Sequence, residues 1–305
     1  MALSFFRKDP TPAPAGNALQ MEAFLQGYSI EVMPRTAEKI DDFRALLPRG
    51  TRVYVAHIEG TLIEDMVATA KRVAAEGYDV MPHFPARIIK DKATLTDWVA
   101  RYSDVGVKQG LLLAGGVAQP YGDFATSMDL LNSGAFAGFT RLHVAGHPEG
   151  NKDIDPDGSD RMVMEAARWK SAFAERSDAK MAMATQFCFE AAPVIAWVDR
   201  LAAEGVKLPV HIGIAGPAKL QTLIKFAIAC GVGPSLRVLQ KRAMDVTKLL
   251  LPYEPTEILS ELAMHKAKTP GFGIEQVHFF PLGGIKTNAQ WVTDNGGTSG
   301  RPANA

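Results

Sequence analysis

The chain has 305 residues, of which 47% are hydrophobic and 22% are charged, and its 33 basic residues balance its 33 acidic ones. This apolar content at zero net charge excludes a largely disordered chain, and without a basic excess nucleic-acid binding is not expected. The two cysteines exclude a disulfide-stapled scaffold and indicate a reducing compartment.

The two ends of the chain differ in composition from its centre. Residues 1–14 combine a short apolar stretch with charges and prolines, which is unlike a signal peptide and predicts a flexible N-terminal arm. Residues 296–305 are polar and glycine-rich, and predict a flexible C-terminal tail. No apolar run approaches the roughly 20 residues that a membrane-spanning helix needs. We therefore expect a single domain over residues 15–295 of a cytoplasmic protein.

Short apolar and β-branched runs alternate along the chain with segments of helical periodicity. Eight strands are predicted, at 29–33, 52–57, 79–84, 110–116, 140–146, 180–189, 209–216 and 276–284. Helices are predicted at 36–46, 62–75, 92–102, 124–131, 160–175, 191–203 and 218–230, with two within 236–266 and a last one from 288. Eight βα units are typical of an α/β protein that closes into a (β/α)8 TIM barrel, here with extra helices. A doubly wound open sheet is the alternative, but no glycine-rich phosphate turn follows the first strand.

In such a barrel the active site lies at the carboxyl ends of the strands. Glu31 is the sharpest candidate, because it interrupts an otherwise apolar strand. A buried carboxyl group without a partner has a raised pKa, which suits a general acid near neutral pH. A structural ion pair with Arg35 or another basic residue is the alternative for this side chain.

Six of the seven histidines lie in or beside predicted strands, and His57, His83 and His147 fall near carboxyl ends. Imidazoles gathered at a barrel mouth can bind zinc, so a metal-dependent hydrolase or lyase is an alternative function. No H-x-H motif follows the first strand and no two histidines are spaced i, i+4 on a predicted helix. Hydrogen bonding within the barrel or to an organic ligand is therefore favoured over a metal site. His211 and His278 are expected near the barrel floor.

Two further residues are candidates for ligand binding. Gln186 ends the sixth strand, where its amide offers a donor and an acceptor to the edge of a heterocycle, or else satisfies the loop backbone. Phe226 has the spacing of a core residue relative to Leu223, and stacking on a ligand is the alternative. Cys188 and Cys230 lack the charged surroundings of a reactive thiolate.

Six segments, taken together and in order, resemble the methylenetetrahydrofolate reductase family, whose members are flavin-dependent (β/α)8 barrels. They cover residues from about 28 to 295 and read SIEVMPRT, VMPHF, GHPEG, ATQFCFE, VHIGIAG and HFFPL. The resemblance implies an oxidoreductase that reduces 5,10-methylenetetrahydrofolate to 5-methyltetrahydrofolate in one-carbon metabolism and methionine biosynthesis. It also implies that NADH or NADPH supplies the electrons through bound FAD.

The resemblance assigns roles to individual residues. Glu31 matches the general acid that helps to protonate a folate nitrogen as the ring opens to an iminium ion. Gln186 matches the folate-binding glutamine, Phe226 matches the aromatic that stacks on folate or nicotinamide, and Thr222 joins them as a substrate-binding residue. The cofactor-binding positions that it implies are Ala56, His57, His83, Gly115, Gly116 and His147.

Three flavin contacts of the family are changed in this chain. The fourth strand ends in Ala114-Gly115-Gly116, where the family has an acidic residue, and the second ends in Ala56-His57, where the family has Thr-Tyr. Glu175 stands near the place of a basic residue that meets the FAD phosphate. Members that pass hydride directly from NADH to folate would show such changes, so FAD is the family default and direct transfer is the alternative.

The expected partners follow from the same resemblance. They are tetrahydrofolate derivatives and NAD(P)H, with a homo-oligomer left open and with neither nucleic acid nor membrane. A non-catalytic folate-binding barrel is a further alternative, against which the retention of Glu31 argues.

Overall fold

The computed structural model describes residues 15–229, 233–244 and 251–297. Within them eight parallel strands pair with their neighbours in chain order and close into a barrel through pairing of the first strand with the last. The strands are β1 (Ser29–Val32), β2 (Arg52–Val55), β3 (Asp79–Pro85), β4 (Gln109–Leu113), β5 (Arg141–Gly146), β6 (Lys180–Cys188), β7 (Val210–Ala215) and β8 (Ile274–Phe280). The predicted (β/α)8 TIM barrel is confirmed, and the open doubly wound sheet is excluded.

Helices follow the strands and surround the barrel. They are α1 (Ala15–Leu25), α2 (Pro34–Ala37), α3 (Ile63–Ala75), α4 (Lys92–Asp104), α5 (Ser127–Asn132), α6 (Arg161–Ala174), α7 (Ala191–Ala203), α8 (Leu220–Ala229), α9 (Gly233–Ala243), α10 (Thr256–Lys268) and α11 (Ile285–Asp294). None of these described helices has both the length and the apolar composition of a membrane span. The predicted arm at 1–14, Cys230 and the predicted tail from residue 298 onward lie outside the described residues.

The helix predicted over 36–46 is wrong. The chain instead forms the short α2 and then a 3-10 turn at Phe43–Ala45. Arg72 on α3 explains the break, because its guanidinium donates to backbone carbonyl oxygens of Ala37, Ile40 and Asp41. The Ala37 carbonyl also accepts from the Ile40 N–H, but at Ile40 and Asp41 the guanidinium takes the place of a helical N–H donor, so the first helix ends before these residues.

The interior of the barrel is polar over much of its height, whereas barrels of this kind are usually filled by branched aliphatic side chains. The hydroxyl group of Tyr54 lies 2.6 Å from Nδ1 of His143, and the ring of His143 meets that of His211 at a centroid distance of 4.5 Å. Nε2 of His211 lies 2.7 Å from Oε2 of Glu275, whose side chain is half-exposed. We call these four residues the polar column. Apolar side chains packed around Tyr54 fill the same interior, namely Met81, Leu111 and Ala184.

Burial sets the protonation state of the polar column. It lowers the pKa of His143 well below its ordinary value, and the neighbouring His211 acts in the same direction. Burial also lowers the pKa of His211 to about 4, although Glu275 opposes the shift. Both imidazoles are therefore neutral at neutral pH, and protonating either one would place a charge inside the barrel.

The buried His211 predicts how the free energy of unfolding depends on pH. Between its ordinary pKa of 6.5 and its folded value of about 4, the unfolded chain binds a proton that the folded barrel excludes. The contribution of His211 to the stability of the wild-type protein should therefore fall by roughly 3 kcal/mol as the pH falls through this window. His211→Gln removes the titrating group, so urea denaturation should show a weaker acid dependence. His265→Gln on α10 is the control, and it should keep the wild-type slope; equal slopes in both variants would contradict the prediction.

Candidate active site

Glu31, on β1, lies between two imidazoles. Its Oε2 is 3.2 Å from Nε2 of His83 on β3 and 3.8 Å from Nε2 of His278 on β8. A basic partner, foreseen as the alternative for this carboxylate, is therefore present in the form of two histidines rather than the exposed Arg35. The Glu31 side chain is 18% exposed, which leaves it accessible to a small ligand.

The ionisation state of Glu31 differs from the expectation. Burial alone would raise the pKa of its carboxyl group, but the charge of His83 and the close approach of the His83 and His278 imidazoles outweigh it and lower the pKa to about 2. The expected raised pKa is wrong, because it assumed a carboxyl group without partners. Glu31 is thus a carboxylate at neutral pH and must receive a proton before it can donate one.

His278 is a site residue that the sequence analysis missed, since it was expected near the barrel floor. The strand β8 begins at Ile274, earlier than predicted, and pairs His278 with Ser29 across the barrel closure. The Ser29 hydroxyl lies 3.0 Å from Nδ1 of His278, and the Tyr54 ring packs on its imidazole at 4.2 Å. The alternation of Gln276, His278 and Phe280 on one face of β8 is the signal that could have identified it.

His83 lies close to the mouth, as predicted. Its imidazole approaches Glu31, and it meets the Tyr54 ring edge to face at 6.3 Å. Its Nε2 has no well-aligned hydrogen bond, so its contact with Glu31 is an ion-pair distance only. His83 therefore has fewer fixed contacts than His278, although both face the same carboxylate.

Gln186 projects outward at a β-bulge. The pairing of β6 with β7 shifts register between Ala184 and Phe187, which leaves Gln186 exposed at the carboxyl end of β6. Thr185 stabilises the bulge, because its hydroxyl group accepts a hydrogen bond from the backbone N–H of Gly213 at 2.8 Å. A side chain at Gly213 would collide with the bulged backbone, since a Cβ there would lie 2.4 Å from the Thr185 carbonyl oxygen. Bulges commonly redirect a side chain in this way.

Phe226 and Thr222 lie one turn apart on α8, and both are half-buried. Phe226 packs against an apolar cluster next to the ends of β6 to β8. The buried members of that cluster include Phe187, Phe189, Leu223 and Tyr253. This packing agrees with the core role of Phe226, while its incomplete burial leaves a surface for a ligand; its role in binding stays a prediction.

The positions implied for a flavin are occupied by small or engaged groups. Ala56 is buried and its N–H bonds to the Val32 carbonyl at 2.8 Å. Nε2 of His57 lies 3.0 Å from the Thr61 carbonyl oxygen, and the His57 ring stacks on Trp98. Of the two glycines after β4, Gly115 packs against Pro85 and Gly116 is exposed.

The β5–α6 region contains another implied flavin residue, His147. It is half-buried, and burial together with the charge of Lys170 lowers its pKa to about 3. Lys170 is itself buried, which lowers its pKa to about 8, and its Nζ donates to the Ala145 carbonyl oxygen at 2.9 Å. Asp155 accepts hydrogen bonds from the first N–H groups of α6, those of Met162 and Val163. This helix N-terminus is therefore already bonded to a carboxylate.

One side of the mouth is formed by the loop at residues 114–126. The guanidinium of Arg87, in the turn after β3, donates to two carbonyl oxygens of this loop at 3.0 and 3.2 Å. The backbone N–H and C=O of Arg87 both bond to the same loop. Gly122 lies so close to Lys90 that a Cβ would come 1.7 Å from the Lys90 carbonyl oxygen. We call this fixed segment the Arg87 wall.

Within the described part of the chain, no group of three or more His, Cys, Asp or Glu side chains could hold a metal ion. The histidines of the barrel instead face one another, a tyrosine or a carboxylate. No observation therefore favours the metal-dependent alternative.

Comparison with known proteins gives the fold a direct counterpart. No family model matches the sequence. An uncharacterised protein from Clostridium thermocellum that binds two copies of 5-methyl-5,6,7,8-tetrahydrofolic acid superposes with a TM-score of 0.60 over 91% of this chain and 98% of its own, at 9% identity. A phosphoenolpyruvate phosphomutase from Streptomyces platensis subsp. rosaceus matches over 91% and 85% of the two chains at 11% identity, with a TM-score of only 0.45. At 9% identity the likeness to the Clostridium thermocellum protein establishes the barrel fold alone.

Proposed function

We propose that this protein is an enzyme that reduces 5,10-methylenetetrahydrofolate to 5-methyltetrahydrofolate with NAD(P)H. The observation that carries the proposal is the Glu31 carboxylate, held between His83 and His278 and accessible at 18% exposure. The ordered motifs that resemble methylenetetrahydrofolate reductases support the same reaction. The barrel from Clostridium thermocellum binds 5-methyltetrahydrofolate, the product of the proposed reaction, and so supports the choice of ligand.

The chemistry of the proposed reaction requires an acid–base group of this kind. Opening the five-membered ring of the substrate needs a proton on the departing nitrogen and leaves a cationic iminium group. The carboxylate of Glu31 stabilises that cation by charge, and a proton carried on Glu31 reaches the nitrogen. The hydride from NAD(P)H then adds to the iminium carbon and gives the methyl group.

Gln186 and the apolar cluster next to it are the proposed binding surface for the pterin. The exposed amide of Gln186 offers both a donor and an acceptor, which is the pattern at the edge of a pterin ring. Phe226, with Thr222 one turn before it, lies at the surface of the apolar cluster and would stack on the ring face or on nicotinamide.

The residues at the implied FAD positions fit a flavin poorly. Ala56 and the Gly115–Gly116 pair offer no side-chain hydrogen bond to the ring, and His57 already bonds to the Thr61 carbonyl. The α6 N-terminus, a natural place for a phosphate, is bonded to Asp155. We therefore propose that hydride passes directly from NAD(P)H to the folate, without a flavin.

Glu31→Gln tests the assignment of the carboxylate. The amide keeps the shape and the hydrogen bonding of the side chain but cannot carry a proton, so turnover of methylenetetrahydrofolate should fall by about 10²–10⁴-fold. The control is Glu190→Gln, which changes an exposed carboxylate just beyond β6 and should leave turnover unchanged. Turnover within a few-fold of wild type in Glu31→Gln would remove Glu31 from the mechanism.

Gln186→Ala and Phe226→Leu separate binding from packing. Gln186→Ala should raise the folate Kd by roughly tenfold, about 1.4 kcal/mol, with an unchanged melting temperature, because the side chain is exposed.

Phe226→Leu preserves apolar packing but removes the aromatic face, so folate or NAD(P)H affinity should fall while stability changes little. Calorimetry and thermal denaturation give the two readouts. Lost stability with unchanged affinity would assign Phe226 to the core alone.

Direct transfer predicts the fate of a label. NADH carrying deuterium on the transferred face of its nicotinamide should place that label in the methyl group of the product, in protein that shows no flavin absorption. Transfer through a flavin would instead exchange the label with solvent. Label in water, or a stoichiometric flavin that copurifies with the protein, would contradict the direct route.

A further inference from the structure

We propose that His83 supplies Glu31 with its proton, so that His83 and Glu31 form a two-step relay from solvent to the substrate nitrogen while His278 only holds the carboxylate in place. This inference rests on the proposed reductase function and gives His83 and His278 separate tasks in it. The proposed reaction consumes one proton in each turnover, because methylenetetrahydrofolate, NAD(P)H and one proton give methyltetrahydrofolate and NAD(P)⁺.

The proton must come from outside the resting carboxylate. Glu31 is ionised at neutral pH, since its neighbours lower the pKa of its carboxyl group to about 2. A carboxylate in that state stabilises a cation but cannot start the ring opening as an acid. A group within reach must therefore protonate it during each turnover.

Exposure and contacts distinguish the two imidazoles that face Glu31. The His278 side chain is 1% exposed, with Nδ1 on Ser29 and its ring against Tyr54, so it has no route to solvent protons and no freedom to turn. The His83 side chain is 11% exposed, and its Nε2 is both the closer nitrogen, at 3.2 Å, and one without a well-aligned hydrogen bond.

The relay balances in atoms and charge. The N–H bond at Nε2 of His83 breaks as an O–H bond forms on Glu31, and the carboxyl proton then moves to the departing folate nitrogen. That nitrogen keeps the electron pair of the broken C–N bond, and the hydride adds to the methylene carbon. Solvent at the mouth returns one proton to His83, which restores the starting state.

Other groups that can titrate also surround His83. Besides Glu31 on β1 and His278 on β8, these are Tyr54 on β2, whose ring meets the His83 imidazole, and His57 in the loop after β2, whose charge would repel that of His83. Burial lowers the pKa of His278 and of His57, although Glu31 and the Thr61 carbonyl oppose the two shifts. His278 is shielded from solvent, and Nε2 of His57 contacts the Thr61 carbonyl oxygen rather than Glu31.

Two matched variants test the relay. His83→Gln keeps a donor toward Glu31 but cannot carry a proton, so kcat for methylenetetrahydrofolate reduction should fall by about 10²-fold with a nearly unchanged KM. His278→Gln changes the buried partner and should not show this loss confined to kcat. Added imidazole should restore turnover to His83→Gly, because the site is accessible, but not to His278→Gly.

A measurement on the wild-type protein avoids dependence on any variant's folding. Single-turnover rates in mixtures of H₂O and D₂O should give a bowl-shaped proton inventory, since two protons move. A linear inventory would overturn the relay and leave the proposed reductase function intact. The same conclusion would follow from a folded His83→Gln variant that keeps the wild-type kcat while Glu31→Gln is inactive. Absence of turnover by the wild-type protein with NADH and with NADPH would overturn both.

Discussion

A carboxylate inside a closed β-barrel persists as an ion only where nearby groups compensate for the loss of water, and here two imidazoles supply that compensation. The charge of His83 and the close approach of the His278 imidazole outweigh the cost of burying Glu31. The remaining polar contacts follow from this pairing. Nδ1 of His278 pairs with the Ser29 hydroxyl group, and the Tyr54 ring packs on the His278 imidazole. The Tyr54 hydroxyl group pairs in turn with Nδ1 of His143 in the polar column. These contacts continue from His143 to His211 and end at the half-exposed Glu275.

Local periodicity was sufficient to predict the barrel. The eight strands coincide with the predicted ones to within a few residues, because each short apolar run between turn residues has few other stable options. The helix predicted over 36–46 failed for a reason outside its own sequence, since Arg72 from α3 binds the carbonyl groups that would have continued it. Local propensity cannot include a partner that arrives from another segment.

The candidate site could be predicted in part. Glu31 stood out as a charge in an apolar strand, and His83 was expected at the mouth. The level of His278 could not be read from the chain, because it depends on how β8 is staggered against β1 at the closure of the barrel. The ionisation of Glu31 could not be predicted either, since both of its partners come from distant strands. The bulge at Gln186 likewise depends on Thr185 meeting β7.

The Arg87 wall has a thermodynamic consequence for any ligand that touches it. Its carbonyl groups are already bonded to a guanidinium and its backbone to the neighbouring turn, so binding does not have to order this loop and loses little entropy there. The same rigidity limits the ligand shapes that fit this side of the mouth, because the loop cannot move away to admit a bulkier ring. At Gly115 and Gly116 the wall presents backbone alone, so a ligand that meets this stretch is selected by its molecular outline rather than by a side-chain charge.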